Sequence, residues 1–164
     1  MSTSMVAYVR AALLPSSLGL LLAAGAAQAQ QPSAEAAEVI AVAKAQWAGE
    51  DGRKSAAQAH ASLADDYTEF NADVPTLLEG KAVAGRFYEA SLQGGDKSLA
   101  SEMVNPHVQL YGDAAILTYN FAGMVKDGEG KLQSNFAKST RVYVRQGGEW
   151  KLVHANFAPV VSAP

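Results

Sequence analysis

Cysteine is absent from the 164 residues, and histidine is scarce, with three copies. Without a thiol there is no disulfide framework, cysteine nucleophile, thiolate-bound zinc or iron–sulfur cluster. His60, His107 and His154 stand far apart, none with a second histidine at metal-ligand spacing, so no metal site is expected. Positive charge is also short: 13 Lys and Arg against 16 Asp and Glu give a net charge of −3 and a pI of about 5.6. That balance argues against a broad nucleic-acid-binding face. Long apolar runs are missing too. The uninterrupted stretch Leu18–Ala27 has ten residues, about half of the roughly 20 that cross a bilayer. What remains is a globular composition, 49% hydrophobic and 18% charged, of a length that fits one domain.

The beginning of the chain reads as an address. Arg10 is followed by an apolar stretch to Ala27, broken only by Pro15-Ser16-Ser17. Ala27-Gln28-Ala29 then puts small residues at both positions that a signal peptidase reads. The expectation is a cleavable signal peptide over 1–29, a short tether over 30–33 and a domain over 34–161, in a periplasmic or secreted protein. No cysteine follows the cleavage point to carry a lipid, so no membrane contact is expected after cleavage. Cleavage removes Arg10 and no acid, leaving 12 basic against 16 acidic side chains.

Ser33 is placed to cap a helix from Ala34 to Trp47, where Ala36, Val39/Ile40, Ala43 and Trp47 form an apolar stripe and Gly49 stops it. A second helix is predicted over about Ser55–Asp65, with Ala56, Ala59 and Leu63 on one side. Tyr67–Phe70 is extended and Asn71–Pro75 turn-like. A third helix opens at Gly80, carries Val83, Phe87, Tyr88 and Leu92, and ends at Gly94-Gly95. From Leu99 onward the pattern becomes strands: Leu99–Tyr111, Ala114–Lys126, Leu132–Gln146 and Glu149–Val161, joined by glycine-containing turns. Asp127-Gly128-Glu129-Gly130 has some flavour of a calcium loop but lacks the late glutamate, and reads as a hairpin turn. Helices followed by an antiparallel meander make an α+β domain.

Both faces of these strands are apolar. Strict alternation sets Trp150, Leu152, His154 and Asn156 against Val153, Ala155 and Phe157, and Ile116 and Thr118 against Leu117, Tyr119 and Phe121. Helices cover one face; a second copy of the same sheet is the simplest cover for the other, which predicts a homodimer.

Three stretches carry a resemblance. Leu78-Glu79-Gly80 with Arg86-Phe87-Tyr88, then Val104-Asn-Pro-His-Val-Gln-Leu-Tyr-Gly-Asp113, then Thr140-Arg141-Val142-Tyr143 through Gly148-Glu-Trp-Lys-Leu-Val-His154 resemble, in order and spacing, the association (hub) domain of calcium/calmodulin-dependent protein kinase type II. The similarity covers about Ala34–Pro159, within the wider nuclear transport factor 2-like and SnoaL-like superfamily. It implies a cone: a strongly curved antiparallel sheet wrapped over three N-terminal helices, with a pocket between them. It also implies self-association, as a dimer or a ring of dimers. The 164 residues carry no Gly-rich loop, Val-Ala-Ile-Lys or Asp-Phe-Gly of a kinase, and no basic amphipathic helix that calmodulin would take. The family's pocket holds small carboxylates with arginines and a histidine. One of those arginines matches Arg141; by spacing the other two fall on Phe121 and Phe157, and the histidine on Ala84. A more apolar ligand held by one charge is therefore implied.

The expected ligand-binding residues are Arg141, Tyr119, Tyr67, Phe121, Phe157 and Trp47. Arg141 is an anion anchor or, alternatively, the partner of Glu69 or Asp66. Tyr119 and Tyr67 can donate phenolic hydrogen bonds, or serve as core aromatics. Trp47 is a core anchor that can also cap the pocket. Asp66, Glu69 and Asp73 are the carboxylates from which an acid–base enzyme would draw, although no catalytic residue and no cofactor is assigned. His154 reads as a structural or interface histidine, and His60 as a helix-surface or half-buried one without a partner. The functional expectation is an exported, stand-alone, self-associating domain that binds a small partly apolar molecule. The alternatives are a SnoaL-like cyclase or ketosteroid-isomerase-like enzyme, and a pure oligomerisation scaffold whose cavity is filled by Phe121, Tyr119 and Phe157.

Overall fold

A computed structural model describes residues 32–160; the expected signal peptide over 1–29 and the expected end of the last strand at Val161 lie outside the described residues. Helix α1 spans Ala34–Asp51 and begins as expected, with the Ser33 hydroxyl accepting from the Ala36 N–H at 3.2 Å. Ala36, Val39, Ala43 and Trp47 are its buried stripe. Gly49 does not end it: a Cβ there would lie 3.0 Å from the Ala59 Cα. The glycine is the contact point of α1 with α2, Ala56–Ala59, and α1 continues to a cap at Gly52.

The second helix is far shorter than expected. Leu63 opens strand β1, Leu63–Asn71, and the two-residue strand β2, Leu78–Glu79, pairs with it. Positions 56, 59 and 63 fit a helical stripe, but Leu63 is buried by pairing opposite Leu152. Helix α3 covers Lys81–Ser91; the meander follows as β3 Lys97–Tyr111, β4 Ala114–Lys126, β5 Leu132–Gln146 and β6 Glu149–Pro159. The Asp127–Gly130 segment is a hairpin turn, held by the Asp127 carboxylate accepting from the N–H groups of Glu129 and Lys131.

The sheet is six-stranded, curved and unclosed, in the order β2-β1-β6-β5-β4-β3. The four long strands pair antiparallel, as expected, but β1 joins β6 in parallel, so the sheet is mixed rather than purely antiparallel. A parallel neighbour needs a long crossover, and here nearly the whole meander supplies it.

A bulge in β6 corrects the expected faces. Val142 pairs with His154 while Tyr143 pairs with Leu152, which leaves Val153 as an extra residue. The strand turns over at that point. Trp150 and Leu152 before it and Ala155 before Phe157 after it therefore share the helix-facing side, where Trp150, Leu152 and Ala155 are buried. The core runs between α1 and this inner face through Val39, Ala43, Leu117, Tyr143 and Leu152. On the outer face, which Phe70 shares, register sets Val104, Tyr111, Met124, Leu132 and Phe136, all of them exposed.

Candidate functional site

Between the inner face of the sheet and the helices lies a cavity of about 320 Å³. That is the small end of the roughly 300–1,000 Å³ range of ligand pockets. Five of the six expected residues line it: Trp47 from α1, Tyr67 from β1, Phe121 from β4, Arg141 from β5 and Phe157 from β6. Tyr119 stands apart from them: it is 4% exposed, outside the lining, and its phenol oxygen accepts from Arg141 Nε at 2.9 Å. Trp47 stands edge-on to both Tyr119 and Phe121, at 5.3 and 5.4 Å between ring centroids, and Phe121 meets Phe157 at 5.5 Å. The rings of Trp47, Phe121 and Phe157 make one wall and leave the cavity open rather than filling it. Ala84, the position matched to the family's histidine, lines the same space.

Arg141 is 7% exposed, yet it pairs with neither Glu69 nor Asp66. Its two partners are neutral. Nη1 donates to Gln46 Oε1 at 2.8 Å and Nε to Tyr119, and the buried Tyr143 phenol also lies close enough to feel the guanidinium. The guanidinium lies 5.8 Å from the Trp47 ring centroid and 5.9 Å from that of Tyr119. Burial opposes its charge, but the surrounding phenols of Tyr119 and Tyr143 and the Glu50 carboxylate outweigh that and keep it ionised.

Gln46 passes the contact on. Its Nε2 donates to Glu50 Oε1 at 2.8 Å, and His60 Nε2 sits 3.5 Å from the same oxygen. The sequence places His60 at a helix surface or half-buried, without a partner; it is 6% exposed, beside Glu50 and against the Tyr88 ring at 5.0 Å. Gln46 and Glu50 were not expected in the site at all. Their signal was the i,i+4 spacing and the position of Gln46 next to Trp47 in the apolar stripe, where an amide needs a partner.

Of the three candidate carboxylates only Glu69 lines the cavity; Asp66 and Asp73 are exposed. Both Glu69 oxygens are engaged, by Tyr67 Oη at 2.7 Å and Asn71 Nδ2 at 2.8 Å. Burial first, and then the Glu69 charge, push the Tyr67 phenol far above its ordinary range, so it acts as a donor and never as a phenolate. His154 and His107 lie on the outer face; His154 Nδ1 is 2.9 Å from Thr68 Oγ1. Among the described residues no group of three His, Asp or Glu is arranged to hold a metal ion.

The calcium/calmodulin dependent protein kinase II association domain family matches residues 35–160. The delta subunit of calcium/calmodulin-dependent protein kinase type II from Oryctolagus cuniculus is 34% identical over 79 residues, 48% of this chain and 15% of that protein. The chain thus spans a small part of that relative's length. The hub homology domain of Chlamydomonas reinhardtii superposes with a TM-score of 0.65 at 25% identity, over 77% of this chain and 99% of that one. A nuclear transport factor 2-like protein of unknown function from Pseudomonas putida reaches a TM-score of 0.65 at 21% identity, over 81% and 92%, which marks a shared fold. With the match extending from the first helix to the last strand, this chain belongs to the calcium/calmodulin dependent protein kinase II association domain family.

Proposed function

We propose that the protein is exported, pairs with itself through the outer face of its sheet, and holds a small, partly apolar molecule in the cone, with no kinase activity of its own. One observation carries the ligand reading: Arg141 is a buried cation that lines an open cavity and is held by a phenol and an amide, with the Tyr143 phenol also close to it, rather than by a carboxylate. Glu50, which helps to keep Arg141 ionised, reaches it only through Gln46, so the guanidinium lacks a direct ionic partner. An acceptor group on a ligand would supply one through charge-assisted hydrogen bonds. Phe121, Phe157 and Trp47 provide the apolar contact for the ligand's body.

Self-association is supported by family membership and by the outer face. Phe70, Tyr111, Leu132 and Phe136 are each more than half exposed there, spread over β1, β3 and β5, and a partner that covers this face would bury them. An isologous dimer buries the same patch twice. The enzyme reading is weaker, because the one candidate carboxylate that lines the cavity, Glu69, already accepts a hydrogen bond at each oxygen, from Tyr67 and Asn71. The filled-scaffold reading is weaker because the aromatic residues line the cavity without closing it.

The test is Arg141→Ala, with calorimetric titration of small aromatic carboxylates and sedimentation of both forms. Binding should vanish and the oligomer should persist. Unchanged binding would reject the anchor, and a single protomer at every concentration for the native chain would reject the pairing.

A further inference from the structure

The ionisable side chains of the cone are not paired as a closed core would require. Arg141 brings positive charge from β5. Glu50 and Asp51, at the end of α1, and Glu69, on β1, bring negative charge to the same cavity. Asp51 is exposed and Glu50 has His60 Nε2 at 3.5 Å, but among the described residues no Lys or Arg lies within ion-pairing distance of these three acids, and no carboxylate within that distance of Arg141. The opposed charges are nevertheless close. Gln46 bonds both Arg141 and Glu50, each at 2.8 Å, so one side chain separates them. Tyr67, which feels the Arg141 charge, donates to Glu69 at 2.7 Å.

A second observation also points to a missing occupant. Ser139 lines the cavity, is 3% exposed, and its Oγ has no hydrogen-bond partner. Across the strands it pairs with Tyr119 and Phe157, which places it between the guanidinium's partner and the aromatic wall. A buried hydroxyl left unsatisfied is costly unless a group from outside the chain meets it.

A plain carboxylate would satisfy Arg141 but add negative charge next to three acids. A plain amine would satisfy the acids but sit beside a guanidinium. We infer that the cone takes a small amphoteric molecule of the amino acid type. Its carboxylate meets the Arg141 guanidinium and Ser139 Oγ, its ammonium faces Glu50 and Glu69, and its apolar body lies on Phe121 and Phe157. The inference rests on the proposal that the cone is a ligand site, and adds to it the cationic half of the ligand.

Three probes that share one apolar body separate the cases: phenylalanine, hydrocinnamate (the same acid without the amine) and phenethylamine (the same amine without the acid). In calorimetric titration of the whole protein, phenylalanine should bind roughly tenfold or more tightly than either, the effect of one further charge-assisted contact. Glu69→Gln and Glu50→Gln should each narrow that ratio without weakening hydrocinnamate, with circular dichroism to verify the fold. Hydrocinnamate binding as tightly as phenylalanine, and lost in Arg141→Ala, would overturn the amphoteric reading while sparing the anchor. No binding of any probe would overturn both. Should a glutamine variant not fold, the native ratio alone decides.

Discussion

Tyr119→Phe removes one oxygen from the protein and tests whether Arg141 is held as described. Tyr119 is 4% exposed and Arg141 7%, and the bond between them is 2.9 Å. The aromatic ring keeps its edge-on contact with Trp47, so packing is preserved and only the acceptor is lost. The Arg141 Nε–H is then a buried donor of a charged group without a partner, in a gap too small for water. A hydrogen bond to a charged group contributes about 1.5–3 kcal/mol net, so the loss should be roughly 2 kcal/mol. For a domain of this size that is on the order of 6–10 °C in Tm. Urea unfolding of the native chain, Tyr119→Phe, Arg141→Met and the double variant gives the coupling directly. With methionine at 141 the phenylalanine substitution should cost almost nothing. A loss below about 0.5 kcal/mol in the arginine background, for a bond expected to give 1.5–3 kcal/mol, would refute the reasoning. It would mean that the guanidinium turns to another partner.

Three further outcomes follow from the packing and the turns. Phe136→Glu, on the exposed outer face, should leave the fold intact by circular dichroism but give a single protomer in sedimentation, whereas Leu152→Glu, at 0% exposure, should lose folding altogether. Gly49→Ala should destabilise by about 1–2 kcal/mol in urea, because a Cβ 3.0 Å from the Ala59 backbone outweighs the gain of about 1 kcal/mol in helix propensity; a more stable variant would show that α2 yields freely. The Asp127 carboxyl is held below its ordinary 3.8 by the Lys131 N–H first, and by Gln133 and Glu129 besides. Its stabilising effect is therefore present above the unfolded pKa and lost as pH falls through the folded one, so Asp127→Asn should flatten the acid limb of the stability curve, and an unchanged limb would reject that linkage.

The local features were legible in the sequence because local chemistry determines them. Gly112, Gly147 and Gly148 adopt positive φ of 60°, 62° and 85° at the hairpins, where glycine alone is at ease, and the Ser33 cap needed only its own helix. The parallel pairing of β1 with β6 was not legible, since it joins Leu63 to Leu152 across nearly the whole domain. Nor was the Val153 bulge, because periodicity read along one strand assumes that no residue is extra. In the site, the arginine and the aromatic wall were visible as inward positions on strands. Glu50 and His60 were not, because what buries His60 is the docking of α2 on Gly49, a contact between elements.

The partners of Arg141 also bear on why it is there. A core selected only for stability would bury methionine or leucine at that position, since exchanging a buried charge for apolar volume is often neutral or stabilising by 1–4 kcal/mol. If the arginine were structural, its economical partner would be a carboxylate, and Glu69 lines the same cavity. Instead Glu69 is occupied by Tyr67 and Asn71, and Arg141 by a phenol and an amide. Neutral partners orient the guanidinium without cancelling its charge, and Arg141 still lines the open cavity. Phe121, Phe157 and Ala84, at positions where the resemblance implies polar ligands, add apolar wall around that one charge. An arrangement that keeps opposite charges apart at a cost in stability is the signature of a site that waits for its occupant.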